Sequence, residues 1–341
     1  MMAAPRPENW VQLRAKGLYV LPGDFYVDPT SAVDAAIVTH GHGDHARPGH
    51  RRVAATLETL EIMSARLGAA KNQRRHHLGF GERIQIADVS VWLAPAGHIL
   101  GSAQVVLEHK GSRVVVSGDY KRQPDPTCPP FEPVSCDVFV TESTFGLPVF
   151  RHPDSSGEVA KLLHSVSLFP ERCHLVGVYA LGKAQRMIAL IREAGYDKPI
   201  YVHATILKLC KLYGRFGIDL GSLLPITSGL KEQTRAAFQG QILLAPPSTI
   251  ADHWSKCLPD PIVVMASGWM QTKKRVKQRG VELPLVISDH ADWDQLYKTF
   301  EDVGAPEIWV THGREEAIVH QASNLGYRAR ALQLVGCGQE N

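Results

Sequence analysis

The sequence predicts a layered α/β fold with a second α/β unit inserted into it, and three observations carry that reading. Five short apolar runs end abruptly in residues that bind metal or move protons. Between the third and fourth of these runs, helical spacing alternates with isolated β-branched stretches. The first pattern then resumes, so the outer parts of the chain would close into one domain around the insertion.

Taken in order, residues 35–38 run into Thr39-His40, 114–116 into Ser117-Gly118-Asp119, and 138–140 into Thr141-Glu142. Residues 285–287 run into Ser288-Asp289-His290, and 308–310 into Thr311-His312. Apolar runs without polar alternation suit strands buried on both faces. Sites in layered α/β proteins gather beyond the carboxyl ends of such strands, so these five predict one convergent site. The insertion reads as helices over 155–168, 182–194 and near 205–215, with strands over 176–180, 200–202 and 262–265. Its second helix opens after Leu181-Gly182, where first-turn N–H groups would suit a phosphate. The expected domains are 1–145 with 281–341 for the outer part and 146–280 for the insertion.

Composition narrows the function classes. With 341 residues, 44% of them hydrophobic, the chain has ample material for a core, which excludes a disordered protein. Lys and Arg number 37 against 34 Asp and Glu, and a net charge of +3 predicts no nucleic-acid binding by itself. Any such contact must come from a local patch. Cysteines at 128, 136, 173, 210, 257 and 337 form no Cys-x-x-Cys pair, which excludes a zinc-finger framework or a dense disulfide scaffold. Scattered thiols, no apolar leader and no stretch near 18 apolar residues predict a soluble cytoplasmic protein without a membrane partner.

The densest chemistry is the run Thr39-His40-Gly41-His42-Gly43-Asp44-His45. Glycines between ligand-type residues let a tight loop turn its side chains inward on two sides. His40 and His42 can serve one metal, and Asp44 and His45 a second. His98 after Gly97 adds an imidazole, Asp119 a carboxylate suited to bridging, and His312 completes the second site. Imidazoles with a few carboxylates favour Zn²⁺, while Mn²⁺ or Fe²⁺ also fit. Asp28 is expected either to orient a ligand histidine or to cap the turn after it.

These motifs, in this order, resemble the metallo-β-lactamase superfamily, an αβ/βα sandwich with a di-metal site on its edge. Five later motifs resemble the β-CASP nucleases: residues 141–146, 181–186, 266–270, 288–292 and 311–313. The matches span 26 to 316, and the overall pattern is most similar to the bacterial ligase-associated DNA exonucleases. The resemblance implies a metallo-β-lactamase sandwich with an inserted β-CASP α/β domain. It also implies two divalent ions, Zn²⁺ or Mn²⁺, activating water for attack on a phosphodiester.

Under that resemblance His40, His42 and His98 bind one ion, Asp44, His45 and His312 the other, and Asp119 bridges. His290 protonates the leaving oxygen, and Glu142 orients that imidazole. Ser267 and Gly268 occupy the family's phosphate-gripping position, with Lys183 and Arg186 contributing from a helix start. Residues 273–279 hold five cations in seven positions, so Lys273, Lys274 and Arg275 mark a nucleic-acid track beside Trp269 as a stacking platform. Arg74-Arg75-His76-His77 is a second basic cluster, outside the expected site. The implied substrate is DNA, with a ligase and a helicase as partners in repair. RNA is the alternative, because family members acting on RNA carry a histidine at the position of His312. A scaffold subunit would have lost ligands, and a small-molecule hydrolase would not need Glu142 or the insertion.

Overall fold

The computed structural model describes residues 4–68, 73–226, 236–250 and 253–332, so Cys337 lies outside the described residues. The chain divides into two compact units, one built from residues up to Arg151 and from His290 onward, the other from His152–Asp289. The divisions fall after Arg151 and Asp289 rather than after 145 and 280. Ser288 and Asp289 go with the insertion because Arg186 donates to the Ser288 carbonyl and Lys183 pairs with Asp289 at 2.9 Å.

The first unit has two sheets among its described residues. One runs Val11–Arg14, Gly17–Val20, Phe25–Val27, Ala35–Ile37, Arg52–Ala55 and Arg74–His77, in chain order. The other runs Arg328–Ala331, Glu307–Gly313, Val138–Ser143, Ser112–Val116, Ala103–His109, Val89–Pro95 and Ile84–Ile86. Its last four strands are antiparallel and its first four parallel.

Side-chain alternation along a strand explains the layering. Val105, Leu107, Val114, Val116, Val138, Val140 and Trp309 point into a core shared with Leu18, Val27 and Ile37 of the other sheet. Their neighbours Val106, Val115, Phe139, Ile308 and Val310 point outward and pack on Leu296, Phe300 and Ile318 of the helices Trp293–Val303 and Glu315–Asn324. Across the molecule, Ala36, Val38, Val53 and Ala55 face Leu60 and Met63 of the helix Leu57–Leu67. Both faces of each sheet are thus covered, giving helix, sheet, sheet and helix layers. This is the αβ/βα sandwich expected from the sequence. Burying each such side chain is worth about 1.5–3 kcal/mol, and a one-residue slip would reverse every one of them, so the register is firmly set.

The second unit holds a parallel sheet in the order Leu223–Pro225, Ile200–Val202, Ile242–Ala245, His174–Gly177, Ile262–Ala266 and Leu283–Leu285. Helices Ser155–Leu168, Lys183–Glu193, Ala204–Arg215 and Lys273–Gln278 belong to it. One expectation needs correcting here. The run 285–287 is not a strand of the outer domain; the strand ends at Leu285 and is an edge of this sheet. Pro284 lacks an N–H donor, which confines such a strand to an edge. No helix among the described residues is long and apolar enough to cross a membrane.

Candidate metal centre

In the first unit, strand ends deliver the ligand-type side chains. The loop 40–45 follows Ala35–Ile37, His98 follows Val89–Pro95, and Asp119 follows Ser112–Val116. Arg66, on the helix Leu57–Leu67, donates to the Gly41 carbonyl and so ties down the loop. Gly118 sits at φ +56°, and a Cβ there would lie 2.7 Å from Thr39 Cβ, so the close approach of Asp119 to the loop requires glycine. Glu142 and His312 lie inside paired strands whose register shifts: Thr141 pairs with Val310, but Ser143 pairs with Gly313. The extra residue on the second strand is a bulge, and His312 takes φ 58° there. Bulges re-aim side chains, and this one acts beside both residues.

Two groups of donor atoms result, on either side of Asp119. In the first, His42 Nδ1 lies 3.2 Å from His40 Nε2 and 3.0 Å from His98 Nε2. Asp119 Oδ2 lies 3.4 Å from His40 Nε2 and 3.8 Å from His98 Nε2. One donor atom from each of these four residues falls within 4.8 Å of all the others, a grouping that could hold a metal ion. In the second, Asp119 Oδ1 is 3.5 Å and Asp44 Oδ2 3.7 Å from His45 Nε2. The His312 ring lies 5.1 Å from that of His45, tilted by 32°. Nε2 of His45 and of His312 are both buried with no hydrogen-bond partner among the described residues. A buried polar atom left unpaired is costly, and two such imidazole nitrogens beside two carboxylates fit a cation.

The surrounding hydrogen bonds fix which nitrogen points inward. Thr39 donates to Asp28 from its N–H at 2.8 Å and its hydroxyl at 2.6 Å, and its Oγ1 lies 3.0 Å from His40 Nδ1. Asp28 Oδ2 is 2.7 Å from His45 Nδ1, so Asp28 both orients a histidine and holds its neighbour. Thr311 Oγ1 stands 3.1 Å from His312 Nδ1. Thr39 and Thr311 were not singled out from sequence; the signal was a threonine directly before each strand-end histidine.

The electrostatics point the same way. Burial opposes charge on His45, yet Asp119, Asp28 and Asp44 outweigh it and raise its pKa to about 10. Burial lowers His40 and His312 to about 4, and the charge at His45 adds to the effect. Three carboxylates therefore favour one positive charge at the His45 position, which a bound cation would supply in place of the proton, while His40 and His312 stay neutral, as ligand imidazoles must.

A second arrangement adjoins the first. Glu142 is buried and places its oxygens 3.1 and 2.9 Å from His290 Nδ1. Its Oε1 also accepts from the Tyr120 N–H at 2.8 Å. The His290 ring lies 4.7 Å from that of His98, and Asp119, Glu142 and His290 form a cluster of their own.

The expected substrate contacts lie in the second unit, and several differ from expectation. Lys183 is buried, with Nζ on the Ile287 carbonyl at 3.0 Å and on Asp289 at 2.9 Å. Arg186 is 1% exposed and donates to Ser288, to Asp289 at 3.3 Å and to Ser155 at 2.9 Å. Both are internal ion-pair partners rather than open phosphate contacts, because Asp289 supplies their counter-charge. At the start of their helix the Gly182 N–H, expected to suit a phosphate, is taken by Gln185 Oε1 at 2.8 Å. Ser267 is nearly buried and caps a short helical turn containing Gly268 by accepting from the Trp269 N–H at 3.3 Å. Lys273 and Lys274 are exposed, whereas Arg275 is half-buried and stands 4.1 Å over the Trp269 ring, covering one face of the expected stacking platform. Arg74–His77 is an edge strand of the first unit.

No family model matches the chain. Among curated proteins, a probable DNA ligase of Opitutus terrae is 27% identical over 97% of this chain and 31% of its own length. Cleavage and polyadenylation specificity factor 73 of Drosophila melanogaster is 29% identical, covering 41% of the chain and 22% of that protein. Ribonuclease TTHA0252 of Thermus thermophilus is 25% identical over 92% of the chain and 89% of the relative. The chain therefore spans less than a third of the first two relatives but most of the third. Among solved structures, a protein of unknown function from Enterococcus faecalis has a TM-score of 0.52 at 16% identity, covering 82% of this chain and 75% of that one. That likeness shows a shared fold.

Proposed function

We propose that this chain, a β-CASP-type protein of the metallo-β-lactamase superfamily, is a two-metal nuclease that removes nucleotides from a DNA end. The observation that carries the reading is Asp119, which faces His40 through Oδ2 at 3.4 Å and His45 through Oδ1 at 3.5 Å. A carboxylate turned to two histidine groups through separate oxygens suits a pair of cations. His40, His42 and His98 would hold one, Asp44, His45 and His312 the other, with Asp119 between them. Imidazole-rich donors favour Zn²⁺, and Mn²⁺ accepts the same set. When bound, such ions activate water and stabilise charge on a phosphoryl oxygen.

The chain's own groups do the rest. With Nδ1 on Glu142, His290 would give the leaving oxygen a proton from Nε2. The Tyr120 N–H holds Glu142 in place. A carboxylate on Nδ1 orients the ring so that Nε2 faces the leaving oxygen, the arrangement a general acid needs. Exposed Lys273 and Lys274 are the better candidates for phosphate contact, now that Lys183 and Arg186 are accounted for inside the second unit.

The ligase-named relative supports DNA, since part of it matches almost all of this chain. Trimming a strand end prepares it for joining, so we propose a DNA ligase as partner. RNA is the second reading. It is favoured by His312 and by the ribonuclease relative, which matches over 89% of its length. Matched DNA and RNA oligonucleotides, labelled separately at each end and incubated with Mn²⁺ or Zn²⁺, distinguish the two. Stepwise loss of DNA nucleotides, absent in Asp119→Ala, is expected. Cleavage of RNA alone would put the second reading in place of the first, and cleavage of neither by metal-loaded protein would remove both.

A further inference from the structure

We infer that Lys121 is a positioning residue of this site, keeping His98 in register with Asp119 and with the Glu142–His290 pair. The inference rests on the reading of His98 as a metal ligand and extends it. The Lys121 side chain is fully buried and pairs with Asp125, whose side chain is 3% exposed. Nζ also donates to the backbone carbonyl of His98 at 3.2 Å. Asp125 is itself anchored, accepting from the Thr127 N–H at 2.8 Å and hydroxyl at 2.6 Å.

A buried ion pair gains little stability over apolar residues of equal volume. A lysine here does provide something methionine would not: a charged donor on the carbonyl of a ligand-type histidine. Groups one layer behind a metal ligand, hydrogen-bonded to it, fix its orientation.

The backbone beside Lys121 ties the remaining parts together. Asp119 faces both histidine groups. Tyr120 donates its N–H to Glu142 at 2.8 Å, and its carbonyl accepts from the N–H of Ala291, next to His290, at 2.7 Å. Lys121 donates its own N–H to the Ala96 carbonyl at 3.2 Å. The turn carrying His98 approaches so closely that a Cβ on Gly97, at φ +74°, would lie 2.6 Å from the Lys121 carbonyl oxygen. Three consecutive residues therefore supply the central carboxylate, hold the proton-donating pair and abut the His98 turn.

The test titrates metal-free protein with Mn²⁺ or Zn²⁺ alone and follows Tm and kcat/KM alongside. Lys121→Met is expected to weaken metal binding by about 10–100-fold, the range for groups that orient ligand histidines. Lys121→Arg keeps a charged donor and its partner Asp125, so its metal affinity is expected to recover toward wild type relative to Lys121→Met even where overpacking of the buried site lowers Tm. The double variant Lys121→Met/Asp125→Asn removes both charges and supplies the measurement should Lys121→Met fail to fold. Unchanged metal affinity in folded Lys121→Met or in the double variant, even with a lowered Tm, would make Lys121 a stability residue and overturn the inference. Wild-type protein that binds no metal would instead remove the reading of the site on which it rests.

Discussion

Around Asp119 in the first unit, six histidines crowd together with Asp44 and Glu142, and Nε2 of His45 and of His312 has no hydrogen-bond partner among the described residues. Around Asp289 in the second unit, Lys183 and Arg186 close on one carboxylate and on the backbone carbonyls of residues 287 and 288. Both clusters are buried and rich in titratable groups. The second meets its two cations with a carboxylate, two backbone carbonyls and the Ser155 hydroxyl, whereas the first places lone pairs and carboxylates together and supplies too little positive charge to match. Chemistry that calls for an outside cation belongs to the first. The second holds its unit together.

Breaking the centre of the first cluster should have the largest effect. Asp119→Ala is expected to cut nuclease activity by about 10⁴-fold or more, the scale of removing a central catalytic group. A variant that stayed active with its full metal content would separate the cluster from the chemistry. His290→Ala should slow cleavage by about 10²–10⁴-fold, as expected for a general acid, while metal content stays the same. Loss of metal in that variant would move His290 into the ligand set.

The second cluster should answer differently. Asp289→Asn leaves two buried cations without their counter-charge, and a loss of about 3–5 kcal/mol in urea unfolding is expected. A raised KM at unchanged stability would return Lys183 and Arg186 to a substrate-binding role.

A buried histidine in the same unit offers a smaller contrast. His174 has Nε2 on Ser165 Oγ at 2.8 Å, and burial, with Arg172 adding, lowers its pKa to about 4 from the ordinary 6.5. The unfolded chain then binds the proton more readily, so this contribution to stability is complete above the unfolded value and declines as pH falls toward 4. His174→Phe should flatten the fall in stability between about pH 7 and pH 4.5, and a slope identical to wild type would assign the pH dependence elsewhere. Smallest of all, Lys273→Glu with Lys274→Glu should weaken nucleic-acid binding and reduce its salt slope by about 0.9 per lost phosphate contact. An unchanged slope would make that helix plain surface.

How much of this could be read from sequence differs between the clusters for a physical reason. The metal-type residues of the first stand at strand ends, where an apolar run stopping at Thr-His, Gly-Asp or Thr-Glu is visible locally. Layering also follows local alternation, as with Val105 and Leu107 against Val106. The second cluster depends on partners about a hundred positions apart, such as Arg186 and Asp289, and a lone lysine or arginine at a helix start gives no hint of them. Trp269 reads as an open ring because its cover, Arg275, is one of five cations that look equally free. The sequence alone does not single out Lys121. Its only local sign was Asp125 four residues on, and that spacing is far more often a solvated pair.

The central claim is that the cluster around Asp119 holds two ions, and the most direct measurement counts them. Metal-free protein would be titrated with Zn²⁺ and the bound metal determined per chain, in wild type and in Asp119→Ala. Two ions per wild-type chain, with binding at both positions weakened in the variant, is the predicted result. A single ion, or two whose binding does not change when Asp119 is removed, would contradict the account.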